Sequence, residues 1–303
     1  MLEEHDPQAP RGRGLSHGKV ILLGEHAVVY GVPALAAGID RGARAEVTAH
    51  AQDEIVFAGQ LLPSDHELYS AWAAARRVLS APPARVALDL DIPTGSGLGA
   101  SAALGVAGVR ALLDFLGHEP SDNRLVSAVD AWERVFHGNP SGVDAAAARH
   151  TGVLRYVRGE VPEPVHLREP ITLAVAVAAP PASTKLMVEG VAKLRTARPE
   201  AFDRVLQGIE ALVVNAIGCL RAGDVVGLGR LMDLNQMLLA SWLVSTDAIE
   251  DACRLARDAG ALGAKLTGSG GGGCVIALCR DDPAAVLAAW HSAGLRAFSC
   301  HVG

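Results

Sequence analysis

Long uninterrupted apolar runs are missing from this 303-residue chain, although half of its residues are hydrophobic. None approaches the ~20 residues of a bilayer span, so no membrane association is expected. Aromatic residues are scarce, at 4%, and the core must be built mainly from Ala, Val and Leu. The five cysteines are an odd count with no CxxC pair. That excludes a disulfide scaffold and predicts reduced, buried thiols in a cytoplasmic protein. An excess of basic charge is also missing. A net charge of −6 leaves no electrostatic footprint for nucleic acid. It does not exclude a phosphorylated ligand, because backbone N–H groups and a metal hold phosphates without net charge. The opening residues, MLEEHDPQAPRGRG, lack the apolar stretch of a secretory signal. Their Pro, Gly and charge content predicts a flexible N-terminus over residues 1–14.

Residues 20–30 are apolar and β-branched around a Gly-Glu-His interruption, which predicts a strand, a turn and more extended chain. Residues 44–50 alternate weakly and residues 86–92 clearly, so both read as strands; the second ends at the turn signal Pro93-Thr94-Gly95. Residues 100–116 are apolar nearly all round, as in a buried helix. Residues 122–137 form an amphipathic helix, with Leu125, Val129, Trp132 and Phe136 at helical spacing. A wholly apolar strand is expected at 171–178. The strictest helical period runs from Phe202 to Leu220, and another helix follows at 225–243. Asp247 with Glu250 resembles a capping box for a helix reaching Ala259. Strands are expected at 274–279 and 296–302, around a helix opened by Asp282-Pro283. The charged, turn-rich stretch 158–170 reads as a linker. Together these predict an α+β protein with domains at 15–170 and 171–303.

Chemistry concentrates in four segments. The first is PTGSGLGASAA, residues 93–103, between a strand and a buried helix. Its glycines let backbone approach a ligand, and the free N–H groups of a helix start attract phosphate oxygens. Ser101 falls in the first helical turn, where a hydroxyl can cap the helix or bind a metal ion. No Gly-Lys-Ser/Thr ending follows, so this is not a Walker loop. No acidic residue closes a second strand about 20 residues on, which disfavours a dinucleotide fold.

The second segment is Glu133 with HGNPSGVD at 137–144. Glu133 borders the apolar stripe of its helix, a costly place for a carboxylate unless it is paired or metal-bound; a solvated or Arg-paired side chain is the bland alternative. Asp144 stands past a rigid polar loop, as a proton acceptor or as a helix N-cap. In the third, Lys19 opens an apolar strand that Glu25 and His26 interrupt. The fourth is KLTGSGGGGC, residues 265–274. It lies between two apolar segments inside a domain, so close packing against a phosphate loop or ligand explains it better than a flexible linker.

GKVILLGEHAVVYG at 18–31, residues 93–103, HGNPSGVD, Ser183-Thr184-Lys185 and residues 265–274 together resemble the galactokinase, homoserine kinase, mevalonate kinase and phosphomevalonate kinase (GHMP) superfamily, and within it the mevalonate kinases. The segments keep the family order over nearly the whole chain. The resemblance implies an N-terminal ribosomal protein S5 domain 2-like domain, a C-terminal ferredoxin-like domain and an active site between them. It implies ATP and Mg²⁺ as cofactors and mevalonate as the small-molecule acceptor, phosphorylated on its 5-hydroxyl. Acceptors such as phosphomevalonate or a sugar, or an inactive nucleotide-binding regulator, are the alternatives; monomer and homodimer stay open. By the same resemblance Asp144 is the base and Lys19 orients the hydroxyl. Ser101 and Glu133 hold Mg²⁺. Pro93, Gly95, Ser96, Gly97, Leu98, Gly99, Ala100 and Ser101 hold the triphosphate, and Glu25, His26, Thr184, Gly268 and Ser269 face the acceptor. The chain departs from the family pattern at Ser16-His17 (usually Ala-Pro), Ala100 (usually Ser), Ser269 (usually Ala) and Gln236 (often His).

Overall fold

The computed structural model describes residues 10–119, 122–138 and 140–303. Its strands and helices begin with β1 (Arg11–Leu15), β2 (Lys19–Leu23), β3 (Ala34–Gly38), β4 (Ala43–Ala49), β5 (Glu54–Phe57) and β6 (Gln60–Leu61). Next come α1 (Glu67–Val78), β7 (Ala84–Leu90), α2 (Ala100–Phe115), α3 (Asp122–His137) and α4 (Val143–Ala148). These lead to β8 (Gly152–Tyr156), β9 (Glu163–Val165), β10 (Ile171–Ala179), α5 (Thr184–Ala197), α6 (Pro199–Ala222), α7 (Val225–Ser241) and α8 (Asp247–Asp258). The last are β11 (Gly263–Thr267), β12 (Gly273–Cys279), α9 (Ala284–Ser292) and β13 (Arg296–Val302).

These elements form two compact units, and the units interleave along the chain. The first takes the described residues up to Gly18, then Gly42–Ile92 and Ala100–Arg149; the second takes Lys19–Arg41, Pro93–Gly99 and His150–Gly303. The division expected at residue 170 falls inside the second of these units. The sequence conceals the interleaving because β3 pairs with β8, a strand more than 100 residues away, and so joins β2 and β3 to β8 and β9 in one sheet.

In the first unit a five-stranded sheet has the order β1-β4-β7-β5-β6. The period of two in β7 is what it promised: Ala84, Val86 and Leu88 are buried and Arg85 and Asp89 exposed. The buried face carries α2, whose residues Ala102–Val109 are all buried. The stretch Arg11–Leu15 is no flexible tail, which corrects the expectation for residues 1–14 where they are described. It pairs with β4 from Arg11↔Thr48 to Leu15↔Arg44. Its glycines are the reason: a side chain at Gly14 would lie 2.1 Å from the Ala107 carbonyl oxygen, so only glycine lets β1 lie this close to α2. Residues 1–9 lie outside the described part.

The second unit holds two four-stranded sheets, β11-β12-β10-β13 and β2-β3-β8-β9. Helix α6 runs as its period predicts, burying Phe202, Ile209, Val213, Ala216 and Leu220 and ending at a left-handed Gly223. Its length and a mean hydropathy of 1.4 over its most apolar stretch match a membrane span by composition alone. Its buried residues recur on one face, while Asp203, Arg204 and Glu210 are exposed.

Three further expectations change. Ala27–Tyr30 forms a 3-10 turn instead of extended chain, so tertiary context overrides two valines and a tyrosine of high β-propensity. The supposed linker 158–170 contains β9, paired with β8. Helix α8 is capped one residue earlier than Asp247, by Thr246, whose hydroxyl accepts from Ile249 N. Glu250 is therefore freed for other partners.

Candidate active site

The first unit supplies a hydroxyl and two carboxylates. Trp132 is fully buried on α3, and its Nε1 donates to the Ser101 carbonyl at 3.0 Å. Gly105 lets the indole reach α2, since a side chain there would lie 2.6 Å from the ring. With Trp132 fixed, the next residue, Glu133, faces the first turn of α2. Ser101 Oγ donates to Glu133 Oε1 at 2.6 Å. Glu133 is only 3% exposed, so this carboxylate is held out of solvent next to a hydroxyl. His137 Nε2 lies 3.9 Å from Glu133 Oε2, one helical turn on. Among the described residues no group of three or more His, Cys, Asp or Glu side chains gathers as a metal site. A hydroxyl and a carboxylate are nonetheless the right donors for Mg²⁺, which needs few protein ligands when it is also held by phosphates.

Asp144 lies in the first turn of α4, half-buried. It is not the N-cap. That position belongs to Gly142, at φ 83°, which has no side chain to cap with. Asn139, within the same motif, falls outside the described residues.

The second unit carries the glycine loop and the GEH turn. In residues 93–99, Ser96 is 3% exposed and its Oγ donates to the Pro93 carbonyl at 2.7 Å. Leu98 is fully buried, so it anchors the loop, and only its backbone and its neighbours are left to meet a ligand. Lys19 N donates to Leu98 O at 2.9 Å, and the Lys19 side chain runs against Gly99. Lys19 is 3% exposed, unlike an ordinary strand-end lysine. The second glycine run packs against the first. A side chain at Gly97 would lie 3.4 Å from the Thr267 carbonyl oxygen, and one at Gly268 3.5 Å from Gly97 Cα. This bears out close packing over a flexible linker for 265–274.

His26 has φ 59° and ψ −41°, and Ala27 N donates to Glu25 O at 2.6 Å. This is a three-residue γ-turn of the positive-φ hand, which is rare and strained. The His26 ring is tied to the second glycine run, with Nε2 2.8 Å from the Ser269 carbonyl oxygen. Burial pushes its imidazole below the ordinary value, opposed by that contact. Ser269 Oγ lies 3.3 Å from Thr184 Oγ1 at the start of α5. Three chain segments expected at the acceptor thus converge in one unit.

Glu25, expected at the acceptor, has buried partners of its own. It is 1% exposed, and its carboxylate is taken by two buried donors, Lys265 Nζ on Oε1 and Asn235 Nδ2 on Oε2 at 3.1 Å. Sequence reasoning assigned Lys265 no role. The available signal was a lone lysine inside the strand GAKLT, every residue of which is buried. Gln236 also binds at both ends. Its Oε1 accepts from Leu266 N at 2.9 Å, and its Nε2 donates to Glu250 and Ser245.

Comparisons with known proteins give the class of the molecule, a small-molecule phosphotransferase of the GHMP type. The descriptions "GHMP kinases N terminal domain" and "GHMP kinases C terminal" match residues 67–152 and 216–296. The chain belongs to the GHMP kinase family. Within it the similarity is to mevalonate kinases. The Aeropyrum pernix enzyme is 35% identical over 289 residues, 89% of each chain. That of Thermococcus onnurineus is 33% identical over 309 residues, 91% of each. Among solved structures, L. major mevalonate kinase in complex with R-mevalonate superposes with a TM-score of 0.87 at 28% identity, covering 99% of this chain and 98% of that one.

Proposed function

We propose that this chain transfers the γ-phosphoryl group of ATP to the 5-hydroxyl of (R)-mevalonate. The similarity to mevalonate kinases over nine-tenths of the chain carries this reading. In the proposed reaction the acceptor hydroxyl attacks the γ-phosphorus, the bond to the bridging oxygen breaks, and ADP departs. Asp144 takes the hydroxyl proton. Lys19, held beside Gly99, directs its ammonium at the reacting oxygens. Backbone N–H groups of residues 95–101 hold the phosphates. Ser101 and Glu133 hold Mg²⁺, which when bound supplies charge neutralisation on the phosphates. Little covalent chemistry is asked of the protein, because phosphoryl transfer depends on positioning and charge stabilisation. Ala100, in place of a family serine, leaves Ser101 as the one hydroxyl at the start of α2.

His26, Thr184, Gly268 and Ser269 surround the acceptor in this reading. The test is an acceptor screen with purified protein, ATP and Mg²⁺, following ADP release. Mevalonate should be turned over best. Clearly better turnover of phosphomevalonate or galactose would sink the acceptor assignment, and ATP binding without turnover of any acceptor would sink the enzyme reading.

A further inference from the structure

Lys265 is a fully buried charged side chain, with 0% exposure. Its ammonium meets the Glu25 carboxylate, the Ile21 carbonyl at 3.3 Å and the Leu266 carbonyl. Thr267, two residues on, completes the tie: its Oγ1 accepts from Ile21 N at 2.8 Å. Strands β2 and β11 belong to different sheets and share no ladder. The pairing of β2 with β3 is also broken by a bulge between Ile21 and Leu23. Side chains of β11 therefore satisfy the backbone of Ile21 where a neighbouring strand does not.

A purely structural account of this cluster is weak. Buried ion pairs add little net stability, because desolvation offsets their attraction, and an apolar pair of similar volume often packs as well. Burial here pushes Glu25 up and Lys265 down, each opposed by the other. What an apolar pair would not do is hold the Glu25 backbone in register. Glu25 is the first residue of the γ-turn, His26 its strained centre, and Lys19 begins the same strand.

We propose that Lys265, through Glu25 and Asn235, is a positioning residue that holds the His26 γ-turn in shape for the acceptor. The lysine fixes Glu25 Oε1 and the asparagine fixes Oε2, so the carboxylate cannot swing. With Glu25 pinned on one side and the His26 ring held by the Ser269 carbonyl on the other, the unfavourable φ of His26 is over-determined. Glu25 then acts from behind the site, as an anchor.

The proposal rests on the reading that His26 faces the acceptor, so two readouts are used. The variants are Lys265→Met and the charge-balanced double variant Glu25→Met/Lys265→Met. The second leaves no orphan charge, and it keeps the test decisive if the single variant fails to fold. In the folded variant, the KM for mevalonate should rise about tenfold or more while the KM for ATP stays within about twofold. Independently of any acceptor, the ¹⁵N signals of the His26 ring should move from those of a buried, bonded imidazole to those of a freely titrating one. An unchanged His26 signal in a folded variant would overturn the clamp. A changed signal with equal shifts in both KM values would overturn its link to the acceptor. If the wild type fails to phosphorylate mevalonate, the acceptor reading falls, and the ring signal still decides the clamp.

Discussion

Asp144 and Glu133 are both carboxylates, and the proposed reaction gives them different work. Glu133 is sealed against Ser101 and held by the packing of Trp132. Asp144 sits in the first turn of a short helix that a glycine starts, half-open to its surroundings. In that proposal the carboxylate bonded to Ser101 takes the cation, and the half-buried one takes the proton. Asp144→Asn should therefore keep its unfolding temperature and ATP affinity while losing about 10²–10⁴-fold in kcat, the usual worth of a positioned base. Turnover near that of the wild type would remove Asp144 from the reaction. Glu133→Gln should behave differently. Its activity should fall at low Mg²⁺ and recover in part at high Mg²⁺, with a requirement raised about tenfold or more. A variant whose loss is independent of Mg²⁺ concentration would show that Glu133 is not a ligand.

Elements differ in how far their sequences announce them. Helix α6 and strand β7 are legible because one face of each is buried, and burial imposes a period; β10 is legible as an unbroken apolar run, with Leu173–Ala176 all buried. Strand β3, ALAAG, is hidden: all five residues are buried, and none is β-branched or aromatic. Strand β11 is hidden by its lysine, whose partner lies 240 residues away. The glycine loop could be read as a phosphate site from its own residues, but the packing of Gly97 on Gly268 could not be, since it joins distant segments. The γ-turn was legible as an interruption and illegible as a conformation. It carries a pH dependence. The His26 imidazole is held below its ordinary pKa by burial, so the folded protein takes up this proton at a lower pH than the unfolded chain, which takes it up near 6.5. Its contribution to stability is therefore complete above about pH 6.5 and is lost as pH falls toward the depressed folded value. The unfolding temperature should fall on acidification from about pH 7 to 5, and it should fall less for His26→Gln. Equal slopes for the two proteins would show that this ring does not titrate differently on folding.

For the molecule as a whole, the interleaving of the two units makes a prediction about fragments. A division at residue 170 would leave 171–303 with a complete four-stranded sheet, β11-β12-β10-β13, and five helices. By strand count alone that fragment should fold. Its interior says otherwise, because parts of the second unit come from residues 19–41. Without them Lys265 keeps a buried ammonium with neither Glu25 nor Ile21 to receive it, and breaking such a pair from one side costs about 3–5 kcal/mol. Asn235 and Thr267 lose partners in the same stroke. Phe202 keeps its stacking on Trp242 but loses Tyr30, which meets it edge-on at 4.9 Å. These losses are of the size of a whole domain's stability, about 5–15 kcal/mol. Residues 171–303 expressed alone should therefore lack a cooperative thermal transition and dispersed amide NMR signals. Coexpression with residues 10–170 should restore both, because the missing strands are then supplied. A fragment that melts cooperatively by itself would mean that residues 19–41 are accessories to the second unit, and the ties from Lys265, Thr267 and Asn235 would have to be counted as site-shaping contacts with no share in the fold.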